Sequence, residues 1–235
     1  MTVACMFARV KRSLIESAGT IVFGMEDGTV SIFGLVFGVA ATTSSNAAVL
    51  IAGASGAAAA AVSMMAGAYL DAETSRDETA ARNAVLEAAL AHDPATLAAA
   101  VSERLTAVGV LPQLSGALIG AVQANHDACK GLLMALQAPA AEAPLNPREQ
   151  ALWMLVADFL SAAIPILPFM MLPVAQARII SGGVTISLLV ALGVGRARIG
   201  GRSVARTVAE TVTIGIAAAL AGVAIGMLFN RFYNG

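Results

Sequence analysis

The chain has 235 residues, of which 58% are hydrophobic and only 12% are charged, with a mean hydropathy of +0.79. Soluble domains usually carry about a quarter charged residues, so this composition excludes an ordinary soluble protein and indicates an integral membrane protein. The formal net charge of −1 gives no reason to expect nucleic acid as a partner. The two cysteines, Cys5 and Cys129, are too few and too far apart for a disulfide framework or a zinc site.

Two membrane helices are predicted near the N-terminus. Residues 1–19 have the pattern of a short amphipathic segment, and no signal-peptide cleavage site follows it, so we expect the segment to be retained. The apolar stretches 18–42 and 47–70 are each longer than the roughly 20 residues that span a bilayer. Because only a short polar turn separates them, we expect an antiparallel helical hairpin.

The middle of the chain is more polar and predicts a small helical domain outside the membrane. Ten of the fifteen acidic residues lie between positions 71 and 150. Apolar positions there recur every three or four residues, as in amphipathic helices. We expect a helix over 71–91 that continues the second membrane helix, and a later helix that Gly109 closes. The predicted domain covers 72–148, between membrane parts at 1–71 and 149–235.

Three more membrane helices are predicted after this domain. The third, 151–174, contains three prolines and should be kinked or broken. The fourth, 179–195, is short, and a basic turn over 196–206 separates it from the fifth, 207–229. The predicted fold is therefore an all-α membrane protein with five transmembrane helices and a small helical domain inserted between helices 2 and 3.

The distribution of basic residues predicts the orientation. If the N-terminus is cytoplasmic, only Arg178 and Arg231 of the fourteen basic residues fall on the outer side. Cytoplasmic segments carry an excess of Lys and Arg. We therefore expect the N-terminus and the 72–148 domain in the cytoplasm and the C-terminus on the opposite side. In a prokaryote the membrane would be the inner membrane.

Four carboxylates fall within the predicted membrane helices: Glu26 and Asp27 in the first, Asp158 in the third and Glu210 near the start of the fifth. An ionisable side chain in a bilayer is costly and usually marks a functional site. For Asp27 the alternative is a satisfied structural carboxylate. Glu26 points about 100° away around the helix, so it is a second ligand, a proton carrier or an acid paired elsewhere.

Small residues and a methionine accompany the acids. The first helix has a stripe on the Asp27 face made of Gly24, Gly28, Gly34 and Gly38. Gly34-xxx-Gly38 and Gly222-xxx-Gly226 have the spacing of close helix packing in membranes. Met64 in the second helix is either packing or a thioether ligand, which would favour a softer divalent ion such as Fe²⁺.

Three motifs follow one another along the chain: FGMEDGTVSIFGLVFGVA, then the charge-free AGASGAAAAAVSMMAGAY, then AAIPILPF on the third helix. With these motifs, the chain from about residue 20 to the end resembles the vacuolar iron transporter family, which has them in the same order. The resemblance implies a five-helix homodimer, joined through the first helix, that exports Fe²⁺ and/or Mn²⁺ from the cytosol in exchange for protons. Asp27 and Met64 would line the path, with the metal as substrate and no cofactor; Ser63 and Glu210 match less specific family positions.

The sequence departs from the family pattern at two places. The family's cytoplasmic domain carries glutamates three residues apart that bind several metal ions, whereas here only Glu87 and Glu103 occupy the helix, as in a bacterial-type member with a glutamate-poor domain. A glutamate expected two turns before Ser63 falls near Gly56 and is absent. Asp158 is a candidate to supply the missing carboxylate or a proton site.

Two other functions are alternatives to transport. A membrane binding or adaptor protein could keep this fold without carrying metal, as the glutamate-poor domain suggests. A phosphatidyltransferase can begin its motif with Asp-Gly, but that chemistry needs Ala-Arg shortly afterwards, and Thr-Val-Ser follows Gly28. We therefore expect a transporter and not an enzyme.

Overall fold

A computed structural model describes residues 3–92 and 146–234, together with positions 102, 103, 105, 106, 109 and 110. The chain divides into two compact units, one of Met1–Asp71 with Leu145–Gly235 and one of Ala72–Pro144. The helices bounded in the described part are α1 (Val3–Glu16), α2 (Ala18–Ala40), α3 (Asn46–His92), α4 (Pro147–Ile166), α5 (Pro168–Met171), α6 (Val174–Ile199) and α7 (Val204–Asn234).

Five of these helices are long and apolar enough to cross a membrane, namely α2, α3 up to Arg82, α4, α6 and α7. The five predicted membrane helices are confirmed within the described residues, and the protein is a multi-pass integral membrane protein. The predicted continuation of the second membrane helix is also confirmed, because α3 runs without a break from Asn46 to His92.

The predicted limits of the last two membrane helices were wrong. The fourth runs over 26 residues, Val174–Ile199, instead of 179–195, and the fifth begins at Val204 instead of 207. The basic turn shrinks to four residues, 200–203, with Gly201 at φ +60°. Arg196 and Arg198 belong to the last turn of α6, where a cation interacts favourably with the helix dipole. The helix therefore continues through these arginines instead of ending before them.

The third membrane helix breaks where its prolines predicted. It starts at Pro147, four residues earlier than expected, with Asn146 as its N-cap, and stops at Ile166 before the short α5. Carbonyls freed by the break find donors on neighbouring segments. Asn46 Nδ2 donates to the carbonyl oxygens of Phe169 and Leu172, at 2.7 and 2.6 Å. Asn46 thereby ties the turn before α3 to the broken end of the third helix.

Close packing of α2 with α7 depends on glycine. A Cβ atom on Gly222 would overlap the main-chain oxygen of Gly34, and one on Gly226 would overlap that of Gly38. The predicted role of both GxxxG pairs is confirmed: they face each other across one helix crossing. On the opposite side of α2, Ile32 and Val36 enter a buried apolar cluster with residues of α3, α4, α5 and α6.

The amphipathic α1 is fixed to the start of α4 by polar contacts. Ser13 Oγ donates to Glu149 Oε2 and accepts from Trp153 Nε1, both at 2.9 Å. In the second unit, Gly109 adopts φ +86°, and Val110 N donates to Leu105 O at 2.9 Å. This pattern is a helix C-cap of the Schellman kind, so the predicted helix end at Gly109 is confirmed.

Candidate functional site

Two adjacent acids of α2 occupy different environments. Glu26 is only 9% exposed and accepts hydrogen bonds from Arg196 Nη1 at 3.1 Å and from Thr211 Oγ1 at 2.7 Å. Arg196 comes from α6 and Thr211 from α7, so Glu26 joins three membrane helices. Of the three roles that the sequence left open for Glu26, the geometry is that of an acid paired within the bundle.

Asp27 borders a cleft of about 460 Å³ between α2, α6 and α7. Its side chain is partly exposed, and no hydrogen bond or ion pair joins its carboxylate to another described residue. Its main-chain oxygen accepts a hydrogen bond from Ser31 Oγ at 2.6 Å, as i, i+4 spacing permits. Asp27 therefore keeps its carboxylate oxygens available, whereas Glu26 does not.

Asp158 on α4 is fully buried, with 0% of its surface exposed. Neither of its carboxylate oxygens has a hydrogen-bond partner among the described residues. The side chain lies against the backbone of α2: a Cβ atom on Gly28 would lie 2.8 Å from Asp158 Oδ1. The fold thus places the extra acid of the third membrane helix against the α2 residue that directly follows Asp27.

Met64 lies apart from Asp27 within one chain. Its partly buried side chain lines a second cavity, of about 400 Å³, that also contains Met154 of α4 and Asp71 of α3. The cleft with Asp27 and the cavity with Met64 share two lining residues, Gly19 and Phe23, in the first turns of α2. Ser63, next to Met64, is exposed.

Glu210 on α7 forms ion pairs with two arginines, with Arg202 Nη2 at 3.2 Å and Arg206 Nε at 3.1 Å. All three side chains are at least one-third exposed, so these are surface pairs that fix the turn between α6 and α7. Of the two glutamates proposed for the second unit, Glu103 is exposed and the side chain of Glu87 lies outside the described residues.

Within the described ranges, no group of three His, Cys, Asp or Glu side chains is placed to hold a metal ion. Any metal site in this part of the protein therefore needs other donors, or donors from a second copy. Sequence reasoning missed Met154, Arg196 and Thr211. Of these, only Met154 could have been predicted from the sequence, because it precedes Asp158 by four residues and so shares its helix face.

Membrane-length helices with a buried carboxylate that lacks a partner among the described residues define a multi-pass membrane protein with a candidate functional site inside its bundle. The chain belongs to the VIT family, whose model matches residues 18–227. It is 31% identical over 182 residues to the vacuolar iron transporter of Centaurea cyanus, which covers 76% of this chain and 74% of that protein. It is 28% identical over 184 residues to vacuolar iron transporter 1 of Arabidopsis thaliana, and the match covers 78% of this chain and 73% of that protein. For vacuolar iron transporter 1 of Eucalyptus grandis, identity is 27% over 184 residues, with 78% and 74% covered.

Proposed function

We propose that this protein exports a divalent transition metal, Fe²⁺ and/or Mn²⁺, from the cytosol in exchange for protons and so serves metal homeostasis. The substrate class is supported by the names of the relatives, which are vacuolar iron transporters. The single observation that carries the proposal is the carboxylate of Asp27, which borders an open cleft inside the membrane bundle without a partner. A carboxylate in that position is costly unless it binds a cation.

The path is proposed to form between two copies of α2. Along this helix Phe23, Ser31 and Leu35 are exposed and Asp27 is partly exposed, at intervals of four residues. These residues make one face of α2 that the described part of the chain leaves wholly or partly exposed. A homodimer joined through this face would bring two Asp27 carboxylates together at its axis.

Met64 is the proposed thioether ligand of the path. Its cavity lies on the other side of Phe23 from the Asp27 cleft, so the two residues line neighbouring spaces. A thioether beside carboxylates favours a soft divalent ion such as Fe²⁺ over Ca²⁺ or Mg²⁺.

Proton exchange follows from the same chemistry, because metal and proton compete for one carboxylate. Asp158, Glu210 and Ser63 are the path candidates beside Asp27. Burial without a partner favours Asp158, whereas Glu210 is neutralised by two arginines and Ser63 has no acidic group. The excess of basic residues supports a cytoplasmic N-terminus and a cytoplasmic 72–148 segment.

The test is metal flux into proteoliposomes with and without a pH gradient, using Fe²⁺, Mn²⁺, Co²⁺ and Zn²⁺. We expect Asp27→Asn to abolish uptake, and the exposed Asp77→Asn on α3 to leave it unchanged. Undiminished transport by Asp27→Asn would contradict the role of Asp27. Absence of flux for every metal in the wild-type protein would favour the binding or adaptor function, which the glutamate-poor segment suggests.

A further inference from the structure

Three donor side chains of α4 lie in one row against α2. Met154, Asp158 and Ser161 follow each other at intervals of four and three residues, which places them on one helix face. All three are buried, with 5%, 0% and 0% of their surfaces exposed. A thioether, a carboxylate and a hydroxyl thus line the same interface.

Opposite this row, α2 has glycines and so presents its bare backbone. A Cβ atom on Gly24 would lie 2.8 Å from Met154 Sδ, and a Cβ on Gly28 would lie 2.7 Å from Ser161 Oγ. Asp158 Oδ1 would be 2.8 Å from that same Gly28 Cβ. The glycines therefore let all three donors reach α2 directly beside Asp27.

Neither carboxylate oxygen in this row has a hydrogen-bond partner among the described residues. Ser161 Oγ donates to the main-chain oxygen of Asp158 at 2.9 Å and so does not satisfy its side chain. Arg196, the cation that reaches α2 from α6, is paired with Glu26. A buried carboxylate without a partner is stable only when it is protonated or bound to a cation, so this position suits a group that exchanges a proton for a metal ion.

We propose that Met154 and Asp158 form a binding site for a divalent transition metal between α2 and α4 of one protomer, beside Asp27. The inference rests on the proposed function, since the ion would be the transported substrate. Oxygen and thioether donors together suit a soft divalent ion better than Ca²⁺ or Mg²⁺. Met154 also lines the cavity that holds Met64, so this cavity reaches the thioether side of the site.

The site is tested on the purified full-length protein by metal binding, measured as the rise in Tm with added Co²⁺ or Mn²⁺. A ligand that binds only the folded state raises Tm, and the rise grows with the logarithm of the ratio of ligand concentration to Kd. We expect Asp158→Asn to weaken apparent affinity for both ions by roughly tenfold or more. Met154→Leu should weaken Co²⁺ binding more than Mn²⁺ binding, because the thioether is the softer donor. Met171→Leu is the matched control, since Met171 is 87% exposed on α5.

Asp158→Asn should not lower Tm in the absence of metal, because it removes a buried unpaired charge. Unchanged metal shifts in Asp158→Asn and Met154→Leu would overturn the site. The two proposals can fail separately. If the wild-type protein transports metal and Asp158→Asn binds it as tightly as the wild type, the site is refuted and the transport function stands. If Asp158→Asn loses metal binding but the wild-type protein transports no metal, the transport function is refuted and the site stands.

Discussion

Glu26 of α2 and Arg196 of α6 form an ion pair with an N–O distance of 3.1 Å inside the membrane bundle. Thr211 of α7 donates to the same carboxylate, so one side chain links three membrane helices. The two neighbouring acids therefore differ in their surroundings: Glu26 links helices, whereas the carboxylate of Asp27 borders a cleft and has no hydrogen-bond partner among the described residues.

Glu26→Gln is expected to destabilise the bundle without abolishing transport. The amide cannot accept two charge-assisted bonds as the carboxylate does, which costs about 1–3 kcal/mol when donors are left without partners. The check is thermal unfolding in detergent beside metal flux in proteoliposomes. Asp27→Asn is the comparison: its Tm should be unchanged, and its metal flux should be lost. A Glu26→Gln protein of wild-type stability would show that the ion pair contributes nothing.

Gly222→Ala is expected to disrupt the crossing of α2 and α7. Its methyl group would overlap the main-chain oxygen of Gly34, and backbone cannot move aside as a flexible side chain can. Overpacking of this kind costs about 1–3 kcal/mol or more. Gly195→Ala on α6 is the matched control, because nothing lies within 4 Å of a Cβ there, and its effect should stay within about 0.5 kcal/mol. Equal Tm values for the two variants would contradict the packing described for Gly222.

Asn46→Ala is expected to loosen the break in the third membrane helix. The variant removes both donors to Phe169 O and Leu172 O, and an unsatisfied buried carbonyl costs about 1–3 kcal/mol. Ser44→Ala, an exposed position in the same turn, is the control. Thermal unfolding measures the loss, and faster hydrogen exchange near residues 167–173 should accompany it. Hydrogen-exchange protection that stays at the wild-type level would show that Asn46 does not stabilise this break.

Cysteine cross-linking tests the proposed dimer face of α2. In a background without Cys5 and Cys129, Ser31→Cys should give a disulfide-linked dimer in the membrane, because residue 31 lies on the exposed face near the expected axis. Ile32→Cys is the neighbouring control; it is 2% exposed within the protomer and should stay monomeric on a non-reducing gel. Dimer bands of equal strength at both positions, or at neither, would argue against an axis through α2.

Much of this architecture could be predicted from residue type and spacing. Apolar length predicted the five spans, three prolines predicted the break after Ile166, and two GxxxG pairs predicted a close helix crossing. These features are local or depend on composition, so the chain carries them wherever its helices pack. Helix limits in the basic region were less predictable, because arginine is tolerated in the last turn of α6.

The sequence by itself determined that acids, a methionine and small residues share membrane helices. It did not determine which neighbour each side of α2 meets. Only the tertiary structure assigned Glu26 to Arg196, placed Asp158 against Gly28 and separated Asp27 from Met64 within one chain. The physical reason is that bundle-facing and lipid-facing sides are both apolar in a membrane helix, so hydropathy does not report its rotation. Rotation follows from close packing and from polar pairs between distant residues, and these exist only once the helices have assembled.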